Sequence, residues 1–191
     1  LTCSVPGAAS CDGTLKDKVG EFDDTRTIYM NVGGSLAPFS YDNLNAGQKT
    51  TFESGFLSAN LTQWSNLVET LTPEQVAAAS GANLVNYIRG QKGYEETASD
   101  PGKRLFRKRQ AVLGDIIDST PSFAGAPTFS YSDPGYASFK SAYSGTGMVY
   151  VGANDGMLHV FDGDTLEERW AYVPSMVIPN LWKLADTAYA S

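Results

Sequence analysis

The chain has 191 residues, a formal net charge of −7 and 42% hydrophobic residues. That balance argues against a nucleic-acid or membrane-surface binder, whose partners are anionic, and no apolar run approaches the ~18 residues needed to cross a bilayer. The only histidine is His159, so a His-rich metal site is excluded and any catalytic triad has one candidate base.

Residues 1–36 are polar and Gly-containing and read as an extended or partly ordered edge with no chemistry assigned. They hold the only two cysteines, Cys3 and Cys11, with Pro6-Gly7 between them to turn the chain back. A small disulfide loop is expected in an oxidising compartment. The other readings are half of a metal site, which lacks a nearby His or further Cys, and bonds to cysteines elsewhere. Thr27-Ile-Tyr-Met-Asn-Val32 is the one strand-like run in this stretch.

Residues 37–110 form a mixed, helical region. Asn45-Ala-Gly-Gln48 has capping-box spacing and opens a short helix towards Ser54. Thr72-Pro-Glu-Gln75 is a stronger start, with an oxygen to cap, Pro where its missing donor costs nothing, and an acid at the positive end of the dipole. This helix runs through Val76-Ala-Ala-Ala79 and breaks at Gly81, which costs ~1 kcal/mol inside a helix. It resumes through Leu84-Val-Asn-Tyr-Ile88 until Gly90. Gln91 to Pro101, charged and poor in apolar residues, reads as a flexible linker. Five of the fourteen basic residues crowd into Lys103-Arg-Leu-Phe-Arg-Lys-Arg109. Acidic Glu95, Glu96, Asp100, Asp115 and Asp118 flank that run, so local ion pairs account for it better than a nucleic-acid patch. Asn60-Leu-Thr62 fits the glycosylation pattern, a match too short to weigh.

Residues 111–191 are strand-rich. A strand is expected over Pro121 to Ala126, followed by a long connection bearing Phe129, Tyr131, Tyr136, Phe139 and Tyr143. These aromatics suit a carbohydrate or protein contact surface, but a helical turn at Tyr136-Ala-Ser-Phe139 burying them over the sheet is the preferred reading. Met148 to Gly152 and Leu158 to Asp162 are two β-branched and aromatic strands joined by Asn154-Asp155-Gly156, which supplies the positive φ of a hairpin turn. A second turn at Asp162-Gly-Asp-Thr165 leads to a strand over Glu167 to Val173. Simple alternation places Arg169, Ala171 and Val173 on one of its faces and Glu168, Trp170 and Tyr172 on the other. Neither face of the first strand is polar, so the sheet is expected to be covered on both sides, with Trp170 in its core.

Val149-Tyr-Val-Gly152 leading through Asp155-Gly156 into Leu158 to Asp162 and a Trp strand resembles the blade repeat of quinoprotein-type propellers. The longer series is Leu113-Gly-Asp-Ile-Ile-Asp-Ser-Thr-Pro121, Gly125-Ala-Pro127, Tyr136-Ala-Ser-Phe139 and Tyr172-Val-Pro-Ser175. Together with Pro38-Phe-Ser-Tyr-Asp-Asn-Leu44, Gln48, Leu84 to Gly90 and Phe106 to Arg109, it resembles the PilY family of type IV pilus proteins at the start of their propeller. The likeness covers roughly residues 38–190. It implies a mainly β fold with a small helical region, a partial β-propeller incomplete within this segment. Closure needs ~4–8 blades of about 40 residues, and the stretch from Val112 holds little more than one with the start of the next. The segment is therefore expected to belong to a longer polypeptide, its helices on the outside or closing edge of the propeller.

The resemblance also implies a role in pilus assembly, retraction balance, twitching motility and attachment, as a tip adhesin and binding scaffold. Implied partners are minor pilins, host or abiotic surfaces, and the remaining blades. The implied location is the cell surface, at the pilus tip or outer membrane, reached through the periplasm. Many relatives carry Asp after the Arg-Gly pair where this chain has Gln91, so an Arg-Gly-Asp adhesive role does not carry over.

No catalytic, cofactor-binding or metal residue is expected. His159 lies in a strand and reads as a packed or surface residue. Asp162, Asp164, Glu167 and Glu168 cluster at the second turn, but they lack the spacing and late bidentate Glu of a calcium loop and read as a solvated hairpin. The resemblance implies calcium held in a long Asp-rich loop of a type absent from this chain, so any calcium site is expected elsewhere in the full-length protein. The alternative function is a quinoprotein-type, PQQ-dependent dehydrogenase, which needs a funnel lined by several blades.

Overall fold

A computed structural model describes residues 15–65, 71–145 and 147–189. Cys3 and Cys11, and with them the expected disulfide, lie outside the described residues.

Six strands form one mixed sheet: β1 (Ile28–Val32), β2 (Ser35–Pro38), β3 (Ser122–Ala124), β4 (Met148–Gly152), β5 (Leu158–Asp162) and β6 (Glu168–Val173). Their order is β2-β1-β6-β5-β4-β3. Strands β3 to β6 make a four-stranded antiparallel meander. The β4–β5 turn falls at Asn154-Asp155-Gly156 as the residue types require, with Gly156 at φ +83° and its amide donating to the carbonyl of Ala153.

One expectation fails at the amino-terminal side. β1 is no loose edge: it lies inside the sheet, parallel to β6, with Ile28 beside Ala171 and Met30 beside Val173. Both β1 side chains are buried, because the pairing carries them onto the core face. β2 closes this side as an antiparallel partner of β1.

The helices are short and begin where capping chemistry allows. α1 (Ala46–Lys49) and α4 (Pro73–Ala78) each start with a reciprocal box, Asn45 with Gln48 and Thr72 with Gln75. α2 (Ser54–Asn60) and α3 (Thr62–Ser65) follow α1, and α5 (Ala82–Arg89) resumes after the break at Gly81 and stops at Gly90, where φ is +125°. α5 turns Leu84, Val85, Tyr87 and Ile88 inward. They join Ile28, Met30, Ala171 and Val173 in a single hydrophobic cluster, so the helical region covers one face of the sheet. A 3-10 helix over Ile178–Ala185 adds Ile178, Leu181 and Ala185 to the same core.

The opposite face is outside that cluster. Tyr150, Val160 and Trp170 lie in one row across three strands, and the Tyr150 and Trp170 rings meet edge-on, 6.2 Å between centroids, over a fully buried Val160. Leu158 and Tyr172 form the next row and, like Tyr150 and Trp170, are only half-buried. The expectation of two covered faces is therefore met on one side, and Trp170 flanks the core instead of filling it.

The segment expected to be a flexible linker is anchored. Lys92 and Gly93 donate to the carbonyls of Gly20 and Glu21, and the Glu96 amide donates to Phe106. Glu95 is buried against Arg109 at 2.7 Å. Charged composition signals solvent only where the charges lack partners, and here Arg109 of the next segment supplies one for Glu95.

Candidate functional site

The densest chemistry lies on the core face of the sheet around His159. β6 bulges: Trp170 opposes Val160 and Glu168 opposes Phe161, leaving Arg169 as the extra residue. The bulge reverses the simple alternation. Glu168 joins Ala171 on the buried face, only 2% exposed, and Arg169 points outward.

There the Glu168 carboxylate receives Arg26 as a fork, from Nε at 2.8 Å and Nη2 at 2.7 Å. Its Oε1 also lies 2.8 Å from Nδ1 of His159. The other ring nitrogen, Nε2, is 2.9 Å from Asp155 Oδ2. Asp155 in turn accepts from the amides of Met157 and Gly114. Arg26, Glu168, His159 and Asp155 thus form a continuous buried chain of alternating charge. Burial alone would push the His159 pKa down, but the hydrogen bonds and charges of Asp155 and Glu168 outweigh it and raise the value. For Glu168 burial works upward, yet His159 and Arg26 bring the carboxyl down to about 2.

A second ion pair adjoins the first. Arg26 Nη1 donates to the carbonyl of Arg89, and Arg89 forks onto Asp24 while its Nη1 donates to Phe39. Gln91 also donates to Asp24. Arg89-Gly90-Gln91 is therefore a helix terminus with its side chains tied inward.

The basic run is likewise occupied. Arg109 pairs with Glu95 and donates to the carbonyls of Tyr87, Gly90 and Gln91, Arg107 donates to Leu184, and Arg104 donates to Ala98. Burial pushes the Tyr87 hydroxyl up to about 12, and that hydroxyl donates to backbone carbonyls in the core.

At the second turn the four acids separate. Asp162 accepts from the amides of Thr165 and Asp164 and from Arg169, which together hold its carboxyl well below the usual range. Glu168 belongs to the buried chain, so this turn is not a uniformly solvated acidic cluster. Among the described residues no group of three or more acidic, His or Cys side chains is placed to hold a metal ion.

The connection between β3 and β4 departs from its preferred reading. α6 (Tyr136–Ala142) forms at the expected place, but its aromatics do not fold over the sheet. Phe129, Tyr131, Tyr136, Phe139 and Tyr143 contact one another in series, with centroid separations of 6.1, 4.9, 5.8 and 4.8 Å. Four of the five remain exposed, Phe129 by 69% and Tyr143 by 62%. Lys140 clamps the loop to the helix by donating to the carbonyl of Phe129 at 2.8 Å, which preorganises the lobe. It is the described surface best suited to bind a partner.

Beside the β4–β5 turn an open depression of about 170 Å³ is lined by Asn154, Asp155, Gly156, Val177, Leu181, Lys183 and Tyr189, among others. No helix among the described residues is long and apolar enough to cross a membrane.

Comparison with known proteins gives a consistent set of relatives. The chain is 34% identical over 166 residues to a type IV pilus biogenesis factor PilY1 homolog of Xylella fastidiosa, a match covering 83% of this chain and 13% of that protein. It is 35% identical over 176 residues to the type IV pilus biogenesis factor PilY1 of Pseudomonas aeruginosa strain UCBPP-PA14, covering 86% of this chain and 13% of the relative. The strain PAK protein of the same name is 38% identical over 122 residues, 60% of this chain and 10% of the relative. The chain thus spans about an eighth of the length of the first two relatives. No family model and no solved structure matches it.

Proposed function

The chain belongs to the PilY family of type IV pilus biogenesis factors, and on that premise we propose that it forms the entry to a non-catalytic β-propeller that serves as a binding scaffold. The observation that carries this reading is the half-covered sheet. Four antiparallel strands in sequence, β3 to β6, have the makings of one blade, and the two rows that hold Tyr150, Trp170, Leu158 and Tyr172 offer an apolar face to a neighbour. The helical region takes the other face and closes the blade array on that side. In the parent protein the scaffold acts at the cell surface, supporting pilus assembly, twitching motility and attachment, with pilus components and external surfaces as partners. The exposed aromatic lobe is the part of this segment assigned to binding.

The test is Trp170→Asp in the longer parent protein and in the 191-residue chain. In the short chain Trp170 is half-buried and the change is mild. In the parent, a neighbouring blade covers it and the aspartate loses its water, so the domain destabilises strongly and piliation and twitching fall. Equal, mild effects in both proteins would remove the neighbouring blade. Normal pili in a strain producing only an unfolded variant would remove the scaffold role, and quinone-dependent turnover by the parent protein would replace it with the dehydrogenase.

A further inference from the structure

We propose that His159 is a proton-operated latch that fastens the Asp155 side chain, and through it the amides of Met157 and Gly114, to the sheet, and that loss of its Nε2 proton loosens the β4–β5 turn while leaving the β5–β6 pairing intact. The geometry is asymmetric about the ring. On the Nδ1 side, Glu168 is fixed by the fully buried Arg26, whose own neighbours are Asp24 and the Arg89 carbonyl, and Lys18 donates to the Glu168 carbonyl. On the Nε2 side, the Asp155 side chain is 12% exposed and lines the depression that Lys183 and Tyr189 also border.

Both ring nitrogens face carboxylate oxygens, so both must carry a proton for the chain to be satisfied. When the imidazolium passes its Nε2 proton to solvent hydroxide, giving water and neutral imidazole, the bare nitrogen lone pair is left against Asp155. Glu168 cannot retreat, because Arg26 holds both its oxygens. Asp155 can, because it borders solvent. Its departure removes the acceptor for the amides of Met157 and Gly114, while the Asn154 amide keeps its bond to the Asp115 carbonyl, so the turn loosens without detaching. The raised proton affinity of His159 agrees with a latch that stays closed to higher pH than a free imidazole would hold it.

The chain's single histidine and the placement of its methionines make this measurable by NMR. Ring nitrogens and methionine methyl groups are followed in the 191-residue protein from about pH 5 to about pH 10. Met157 adjoins Asp155, and its sulfur lies 3.9 Å from Arg26 Nη2, so its methyl reports the latch; Met30, fully buried in the core, reports the fold. The expected result is a Met157 shift with the midpoint of the His159 ring and an unchanged Met30. Asp155→Asn removes one anionic partner, so it lowers the proton affinity of His159 by about tenfold or more and uncouples Met157 from the titration. His159→Gln holds Met157 at its alkaline position at every pH, and if that variant does not fold, Asp155→Asn carries the test. The latch is overturned if Met157 and Met30 move together in one unfolding transition, if Met157 ignores the titration, or if both ring nitrogens stay protonated until the protein unfolds.

Discussion

Nδ1 of His159 and Oε1 of Glu168 lie 2.8 Å apart although unbroken alternation along β6 would put the two side chains on opposite faces of the sheet. The contact exists because Arg169 is spent on a bulge. One extra residue thereby converts a surface acid into the centre of a buried charge chain.

Glu168→Ala should be among the most damaging single changes on this face. It leaves Arg26 with a side chain 1% exposed and no carboxylate, and His159 with one partner of two. Removing one member of a buried pair costs about 3–5 kcal/mol, to be read from the midpoint of urea unfolding. Replacing Arg26, His159 and Glu168 together by Met and Leu should recover most of that loss, since no charge is then stranded. A Glu168→Ala protein as stable as the parent would show that the chain contributes nothing.

The pH dependence has two limbs with opposite signs. Glu168 falls from 4.5 to about 2 on folding, so its contribution is present above pH 4.5 and is lost as pH falls towards 2. The difference corresponds to about 3 kcal/mol. His159 is raised above 6.5, so its contribution is complete below pH 6.5 and is lost as pH rises through the native value. This pair is accordingly most stabilising between pH 4.5 and pH 6.5. Thermal unfolding across pH should show both declines, and His159→Gln should flatten the alkaline one.

Gly156→Val meets two obstacles at once. The backbone φ of +83° strains any β-branched residue, and an added Cβ would sit 2.8 Å from Leu181 Cδ2. Strain and overpacking together should cost about 2–4 kcal/mol. Gly33→Ala is the contrast: its φ of +59° is the left-handed helical value and nothing lies within 4 Å of the new Cβ. Its cost should stay near ~1 kcal/mol. Denaturant unfolding of both variants separates crowding from backbone strain.

What could be read in advance was local. Asn154-Asp155-Gly156, the boxes at Asn45 and Thr72, and the stop at Gly90 each depend on residues within a turn of one another, and each forms where its residue types require. What could not be read depends on partners far along the chain. Nothing in Thr27 to Val32 states that it will run parallel to a strand about 140 residues later, and a bulge in β6 has no composition of its own. Both were needed to bring Arg26, Asp155, His159 and Glu168 together. The order of Gln91 to Pro101 has a related cause, since its backbone is tied to Gly20 and Glu21 far upstream and to Phe106 downstream, and Glu95 finds its partner in Arg109. The aromatic connection suggests self-burial because large rings usually find a core. Here they find one another, in series along the connection.

That aromatic lobe yields the last prediction. Phe139 on α6 and Tyr143 at its C-terminal cap sit one helical turn apart, their rings 4.8 Å from centroid to centroid, and both stay about half or more exposed. Neither belongs to the core cluster, so Phe139→Ser and Tyr143→Ser together should change the unfolding midpoint little, within about 1 kcal/mol. A lobe that serves only as a connection would tolerate the pair without consequence for the cell. If it binds, the same double change should lower attachment of cells carrying the variant parent protein severalfold while piliation remains normal, because exposed aromatic anchors dominate contact energy. Surface attachment measured beside pilus counts distinguishes the outcomes. Normal attachment by a stably produced double variant would assign binding to another part of the parent protein.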